Sequence, residues 1–329
     1  MPYEAQVLAS STPTHRVRLG ILCILLGVFG LTLMDAMVKW VSGSFPLHEI
    51  TFVRSVVAIA ITLAIVPFEG GYAILRTRRP GLHLARGLLL VIANFCFFTA
   101  LASMPLAEAT AIFFLAPLFI TALSVPFLGE RVGLRRWLAV LVGLLGMILM
   151  VRPGQGVFDW VALLPVGAAL AYAVMQVITR KLGATDRASS MAFYVQIIFV
   201  LVSAAIGLAV GDGRFSGTGH PSLEFLFRAW VMPFGWDAVL LLGVGVLIGF
   251  GAYLLSQAYR VAQPAVVAPF EYMALPLSLF WGFMLFGHWP DATAMAGMAL
   301  IVGGGLYVFY RETIQGRQIA ARRLLPRNR

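Results

Sequence analysis

PLAEATAIFFLAP occupies residues 105–117 and PAVVAPFEYMALP residues 264–276, two apolar stretches 159 positions apart and framed by the same Pro-x11-Pro spacing. The same shift superposes Leu118 on Leu277, Ala109 on Ala268 and Ala93 on Ala252. One residue of slippage later, Leu-Gly-Glu at 128–130 falls opposite Phe-Gly-His at 286–288. Proline opens a helix readily but interrupts one, because it lacks an N–H and its ring crowds the carbonyl four residues back. Each pair therefore marks a helix start and an interior break, and the recurrence predicts two copies of one structural unit.

Working outward, apolar runs of about twenty residues, the length that crosses ~30 Å of hydrocarbon, fill nearly the whole chain. Hydrophobic residues make up 60% of the 329 positions and charged residues 12%, which leaves too little polar surface for a water-soluble domain of this size. Ten candidate spans lie near 19–40, 50–67, 81–103, 107–127, 135–151, 160–180, 190–210, 238–260, 264–286 and 292–310. The predicted fold is an all-α integral membrane protein of ten transmembrane helices in two five-helix repeats, residues 19–151 and 160–310, with tails at 1–18 and 311–329. Five is odd, so the second repeat is inverted relative to the first, about an axis in the membrane plane with a cavity at the interface.

The net charge of +10 sits in short gaps between the runs rather than on one soluble face, so it reports membrane topology and not nucleic-acid binding. With both termini in the cytoplasm, nearly every basic connection falls inside, and only Arg152, Arg214 and Arg228 fall outside. Such one-sidedness matches an inner (plasma) membrane protein with a basic tail against anionic headgroups. The first run continues past Asp35 and Lys39 to Trp40 without a small-residue cleavage site and reads as a retained helix. Between runs seven and eight lies the longest connection, 211–236, with a short interfacial helix or a plain surface loop around Leu223–Trp230. Cys23 and Cys96 lie inside apolar runs without metal or disulfide spacing. Gly245-x-x-x-Gly249 allows a close helix contact, within the chain or in a homodimer.

These features resemble the drug/metabolite transporter superfamily, in its ten-helix branch with two EamA domains. The first half contributes Pro105-Leu-Ala-Glu-Ala-Thr, Ala116-Pro117-Leu, Leu128-Gly129-Glu130-Arg131 and Gly143-x-x-Gly146. The second contributes Ala258-Tyr-Arg-Val-Ala-Gln-Pro264, Pro269-Phe-Glu-Tyr272, Pro276-Leu and Trp289-Pro-Asp291 before Gly297. His288 stands where the second repeat usually carries Glu. The resemblance covers residues 19–310 and implies a secondary transporter of a small organic molecule, working by alternating access without a bound cofactor.

Ionisable groups at membrane depth are costly and so nominate the site. Asp35 lies about 24 Å along its helix and Arg54 at a similar depth on the next. They are expected to pair with each other, or else Asp35 pairs with Lys39 and Arg54 snorkels outward. Glu271, about 11 Å deep and flanked by Pro269 and Tyr272, is a candidate substrate or proton group, or else is bonded to backbone freed by the prolines. Asn94, Gln176, Tyr253 and Gln257 are candidate hydrogen-bonding groups for substrate, each weighed against a packing role. Glu108 and Glu130 lie near helix ends as caps, pairs or gate elements. Aromatics including Phe95, Phe97, Phe98, Phe113, Phe114, Tyr194, Phe270 and Tyr272 suit a planar ligand, which places riboflavin ahead of an amino acid or S-adenosylmethionine. Clustered histidines, a nucleophile dyad and a P-loop are all missing, which disfavours a membrane enzyme and direct use of ATP. Protons remain as the coupling ion.

Overall fold

Helices account for every apolar run of the computed structural model, which describes residues 13–69, 71–75, 77, 79–129, 133–151, 160–182, 188–262 and 264–324. The long elements are α1 (Pro13–Val41), α2 (Leu47–Glu69), α3 (Pro80–Leu101), α4 (Leu106–Phe113), α5 (Ala116–Leu128), α6 (Leu134–Val151), α7 (Leu163–Leu182) and α8 (Ala188–Val210). They continue with α9 (Pro221–Phe227), α10 (Trp236–Val261), α11 (Pro264–Val267), a 3-10 turn over Ala268–Met273, α12 (Ala274–Phe286) and α13 (Ala292–Leu324). Among the described residues nine helical stretches are long and apolar enough to cross a membrane. The expected span at 135–151 forms α6, but its apolar part, Trp137–Val151, is shorter, about 22 Å at 1.5 Å per residue.

Both expected breaks are present, displaced from the prolines. The first falls at 114–115, between α4 and α5, and the second is the 3-10 turn before α12. Pro117 and Pro276 sit in the first turn of the helix that follows, where a missing N–H costs nothing. The residue four back loses its partner, so the preceding helix stops near Phe113 and Tyr272. Gly129 (φ 68°, ψ 20°) and Gly287 (φ 66°, ψ 12°) end α5 and α12 in the left-handed region, which glycine alone enters without strain. Their N–H groups return to the Val125 and Phe283 carbonyls at 3.1 and 2.9 Å. Glu130, opposite His288 in the repeat, lies outside the described residues, whereas Glu108 occupies the first turn of α4.

The principal helix contacts are α1 with α10, α3 with α7, α6 with α13 and α2 with α8; α2 also packs on α10, α3 on α8, α1 on α12 and α5 on α7. Between membrane helices lipid competes equally for apolar surface, so close approach at small residues carries the packing. A Cβ on Gly146 would lie 2.7 Å from the Gly297 carbonyl, and one on Gly297 would meet the Gly146 carbonyl at 2.7 Å, so α6 and α13 touch through their backbones. The Gly245-x-x-x-Gly249 stretch lies against Val57 and Ile61 of α2, within the chain.

Lys39 ends α1 by serving α3. Its Nζ donates to the Leu101 and Met104 carbonyls at 2.6 and 2.8 Å and lies 5.3 Å from the centre of the Phe286 ring. The Leu101 carbonyl is the last of α3 and the Met104 carbonyl lies in the connection to α4, so neither is bonded by a continuing α3 turn. Lys39 is thus committed to α3, which corrects the expectation that it pairs with Asp35 one turn away. Lys39→Met is expected to lower unfolding stability by about 2–3 kcal/mol, with Lys39→Arg recovering part of it, measured by thermal unfolding in detergent.

The connection 211–235 is an ordered strap. Its short helix α9 runs Pro221–Phe227, close to the expected position, and Phe225 is fully buried. Ser222 and Ser103 share a hydroxyl hydrogen bond of 2.6 Å, Arg228 Nη1 donates to the Ser42 carbonyl at 2.8 Å, and the Val231 N–H donates to Glu49 Oε2 at 3.0 Å. These bonds tie the strap across the ends of α1, α2 and α3.

Candidate functional site

The helix faces converge on a cavity of about 410 Å³. α1 contributes Val28, Leu31, Thr32 and Asp35, and α3 contributes Leu90, Ala93, Asn94, Phe97 and Phe98, each set recurring at three and four residues on one helix face. α8 adds Gln196 and Phe199, α4 and its break add Thr110, Phe113 and Phe114, α7 adds Tyr172, and the 3-10 turn adds Glu271. Phe98, Phe97, Phe113 and Tyr172 form a chain of angled rings with centroids 5.4, 5.5 and 5.6 Å apart. Edge-to-face contacts of this kind leave ring faces free for a ligand.

Three of the expected residues, Asp35, Asn94 and Glu271, stand on the cavity wall. Arg54 stands behind it. Its side chain is buried, its Nη2 donates to Asn94 Oδ1 at 2.5 Å, its Nη1 lies 3.7 Å from the Met34 sulfur, and its guanidinium covers Phe98 and Phe199 at 5.0 and 5.6 Å. No ion pair within 4.0 Å joins Arg54 to Asp35 among the described residues, and Arg54 does not snorkel. Asp35 and Arg54 attract each other across a longer gap, without direct contact, and the snorkelling alternative is corrected, because an amide oxygen and two ring faces enclose the guanidinium.

Gln176 is off the cavity and donates from Nε2 to the Tyr172 hydroxyl at 2.9 Å, supporting a ring that is on it. Gln257 likewise donates to the Tyr253 hydroxyl at 2.7 Å, and Tyr253 lines a smaller cleft of about 50 Å³ between α2, α8 and α10. Gln196 and Ile248 border both spaces, so the cleft adjoins the main cavity. Tyr272 stacks on Phe114 with centroids 4.8 Å apart and planes 15° from parallel, so the two breaks touch. Glu271 accepts a hydrogen bond at Oε1 from the Tyr259 hydroxyl of α10, a side-chain partner where freed backbone was expected. Tyr194 leaves the site altogether and donates to the Leu75 carbonyl at 2.8 Å.

Thr32, Thr110, Tyr172, Gln196, Phe199 and Tyr259 were not anticipated. Gln196, a polar residue in the run 190–210, carried a usable signal. The threonines carried none, since Thr110 bonds its own helix at Leu106 O (2.8 Å) as any membrane threonine does.

Residues 18–152 match the EamA-like transporter family. The riboflavin transporter of Vibrio cholerae is 30% identical over 308 residues, covering 92% of this chain and 97% of that one. The chain belongs to the EamA-like transporter family. This bears out the resemblance read from the proline and glycine motifs, and the family member is a multi-pass membrane transporter of small molecules, not an enzyme. Two other relatives of this EamA-like chain differ in what they are named for. The S-adenosylmethionine uptake transporter of Rickettsia prowazekii is 27% identical, covering 89% of this chain and 93% of its own. The pseudopaline exporter of Pseudomonas aeruginosa is 30% identical, covering 86% and 93%.

Proposed function

We propose that this chain is a ten-helix carrier of two inverted five-helix repeats, which moves a flat, ring-bearing metabolite such as riboflavin across the inner membrane by alternating access. The observation that carries the reading is the cavity wall, where the angled rings of Phe97, Phe98, Phe113 and Tyr172 meet the hydrogen-bonding groups of Asp35, Asn94 and Glu271. Ring contacts add ~0.5–1.5 kcal/mol each beyond their buried area. A few polar groups then fix orientation, and about 410 Å³ falls within the usual ~300–1,000 Å³ of ligand pockets. Relatives named for riboflavin and for S-adenosylmethionine are consistent with a ring-bearing ligand.

The packing pattern supports the inverted repeat. Exchanging α1 with α7, α2 with α8, α3 with α10, α4–α5 with α11–α12 and α6 with α13 turns the contact α1–α10 into α7–α3, α2–α10 into α8–α3, and α1–α12 into α7–α5, and all of these occur. In this reading α6 is the tenth crossing despite its short apolar part, paired with α13. The arginine distribution supports cytoplasmic termini, and Glu271 is the group that carries the coupling proton.

A cationic substrate is the second reading, favoured because the charged side chains named along the cavity, Asp35 and Glu271, are both acidic. The test is uptake by proteoliposomes of labelled riboflavin, S-adenosylmethionine and amino acids, with and without an inward proton gradient. Saturable riboflavin uptake supports the first reading. Uptake of S-adenosylmethionine without riboflavin moves the assignment to a cation, and flux of neither rules out both.

A further inference from the structure

We infer that Arg54 sets what the cavity recognises without entering it: it holds the Asn94 carboxamide by the oxygen, turns the amide nitrogen toward the substrate, and so selects a substrate that offers a carbonyl-type acceptor there. The inference rests on the reading of this cavity as the substrate site.

A guanidinium carries five donors and no acceptor, so only the oxygen of a facing carboxamide can bond it. Arg54 Nη2 bonds Asn94 Oδ1, and the Asn94 nitrogen is left on the other side of the amide. Asn94 lines the cavity on the same face of α3 as Phe97 and Phe98, and its nitrogen meets no acceptor among the described residues. In contrast, α2, which carries Arg54, supplies none of the cavity's lining residues. The cation therefore acts at one remove, on residues of other helices.

Asn94 is not the only residue that Arg54 holds in this way. The same guanidinium covers Phe98 and Phe199, which also line the cavity, so one buried cation orders three wall residues from α3 and α8. Bonding in its plane while stacking on its faces is possible for arginine and not for lysine, whose ammonium is a point charge. Asp35 on α1 adds an acceptor to the same wall. The complementary ligand offers a carbonyl to Asn94 and an N–H or a cation to Asp35, a pattern met by the imide edge of a flavin ring.

The test uses the full-length protein in detergent, riboflavin binding followed by flavin fluorescence, and melting temperature, for wild type, N94D, R54M, R54K and the R54M/N94D double variant. N94D keeps an oxygen on Arg54 and removes the donor from the cavity. It should melt within a few degrees of wild type yet bind riboflavin at least about tenfold more weakly, an effect that a purely structural residue would not show. R54K should keep the fold but weaken riboflavin, because its ammonium cannot bond and stack together. In the R54M background the N94D change should lower the melting temperature clearly, because the carboxylate has lost its partner. Wild-type affinity in N94D overturns the inference, as does an N94D melting penalty that is the same with and without Arg54. Should wild type bind no riboflavin, the flavin reading falls, and the melting cycle still decides whether Arg54 holds the oxygen at position 94.

Discussion

Glu271→Gln is expected to remove the acceleration of uptake by an inward proton gradient, cutting the gradient-dependent rate at least about tenfold. Glutamine has the shape of glutamate and can still accept the Tyr259 hydroxyl through its amide oxygen, so the local packing is retained. It cannot take up or release a proton. Glu271 lies in the 3-10 turn 268–273, faces the cavity, and adjoins Tyr272, whose ring stacks on Phe114 at the other break. A change of charge at this carboxylate is therefore applied beside the point where the two helix breaks touch. Uptake and substrate counterflow, each measured with and without the gradient, separate the outcomes. Loss of gradient dependence with counterflow retained identifies Glu271 as the coupling group, whereas retained gradient dependence moves that role to another acid, with Asp35→Asn the next variant to measure. Tyr259→Phe should give a smaller defect, since it removes a partner and not the proton-bearing group.

Gly146→Leu is expected to destabilise the protein by about 3 kcal/mol or more and to yield aggregated material. A Cβ at this position would stand 2.7 Å from the Gly297 carbonyl and 2.9 Å from Leu300 Cβ, and backbone cannot rotate away as a side chain can. The substitution must separate α6 from α13, a pair held also where Gly304 approaches the Ala139 carbonyl. Gly167→Ala provides the control, because a Cβ there meets nothing within 4 Å, and it should leave the melting temperature nearly unchanged. Equal melting temperatures for Gly146→Leu and wild type would refute the close backbone contact between these two helices.

Several features were legible because the membrane makes run length meaningful: a backbone in hydrocarbon must satisfy its own hydrogen bonds, so apolar runs become helices. The proline pairs located both breaks to within a few residues, and the matched glycines of the repeat, Gly129 and Gly287, prove to be the left-handed caps of two helices. The fifth run is the shortest of the ten, because Arg135 and Arg136 intrude on its start and leave a short apolar core at Trp137–Val151. Within the site, Asp35, Asn94 and Glu271, nominated by their depth along the helices as candidate substrate groups, line the cavity. The same rule nominated Gln176 and Gln257, which bond tyrosines of their own helices. Depth alone does not distinguish a residue that faces the cavity from one that braces it.

The sequence by itself determined the helical membrane architecture and the place of its breaks, since these follow from run length and proline chemistry. Only the tertiary structure decided the partners: Arg54 with Asn94, Lys39 with the end of α3, Glu271 with Tyr259, and the assembly of the aromatic wall from α3, α4, α7 and α8. The physical reason is that these helices are apolar nearly all round, so their pattern carries little record of which face turns inward. A buried polar group then takes whichever partner packing brings within reach.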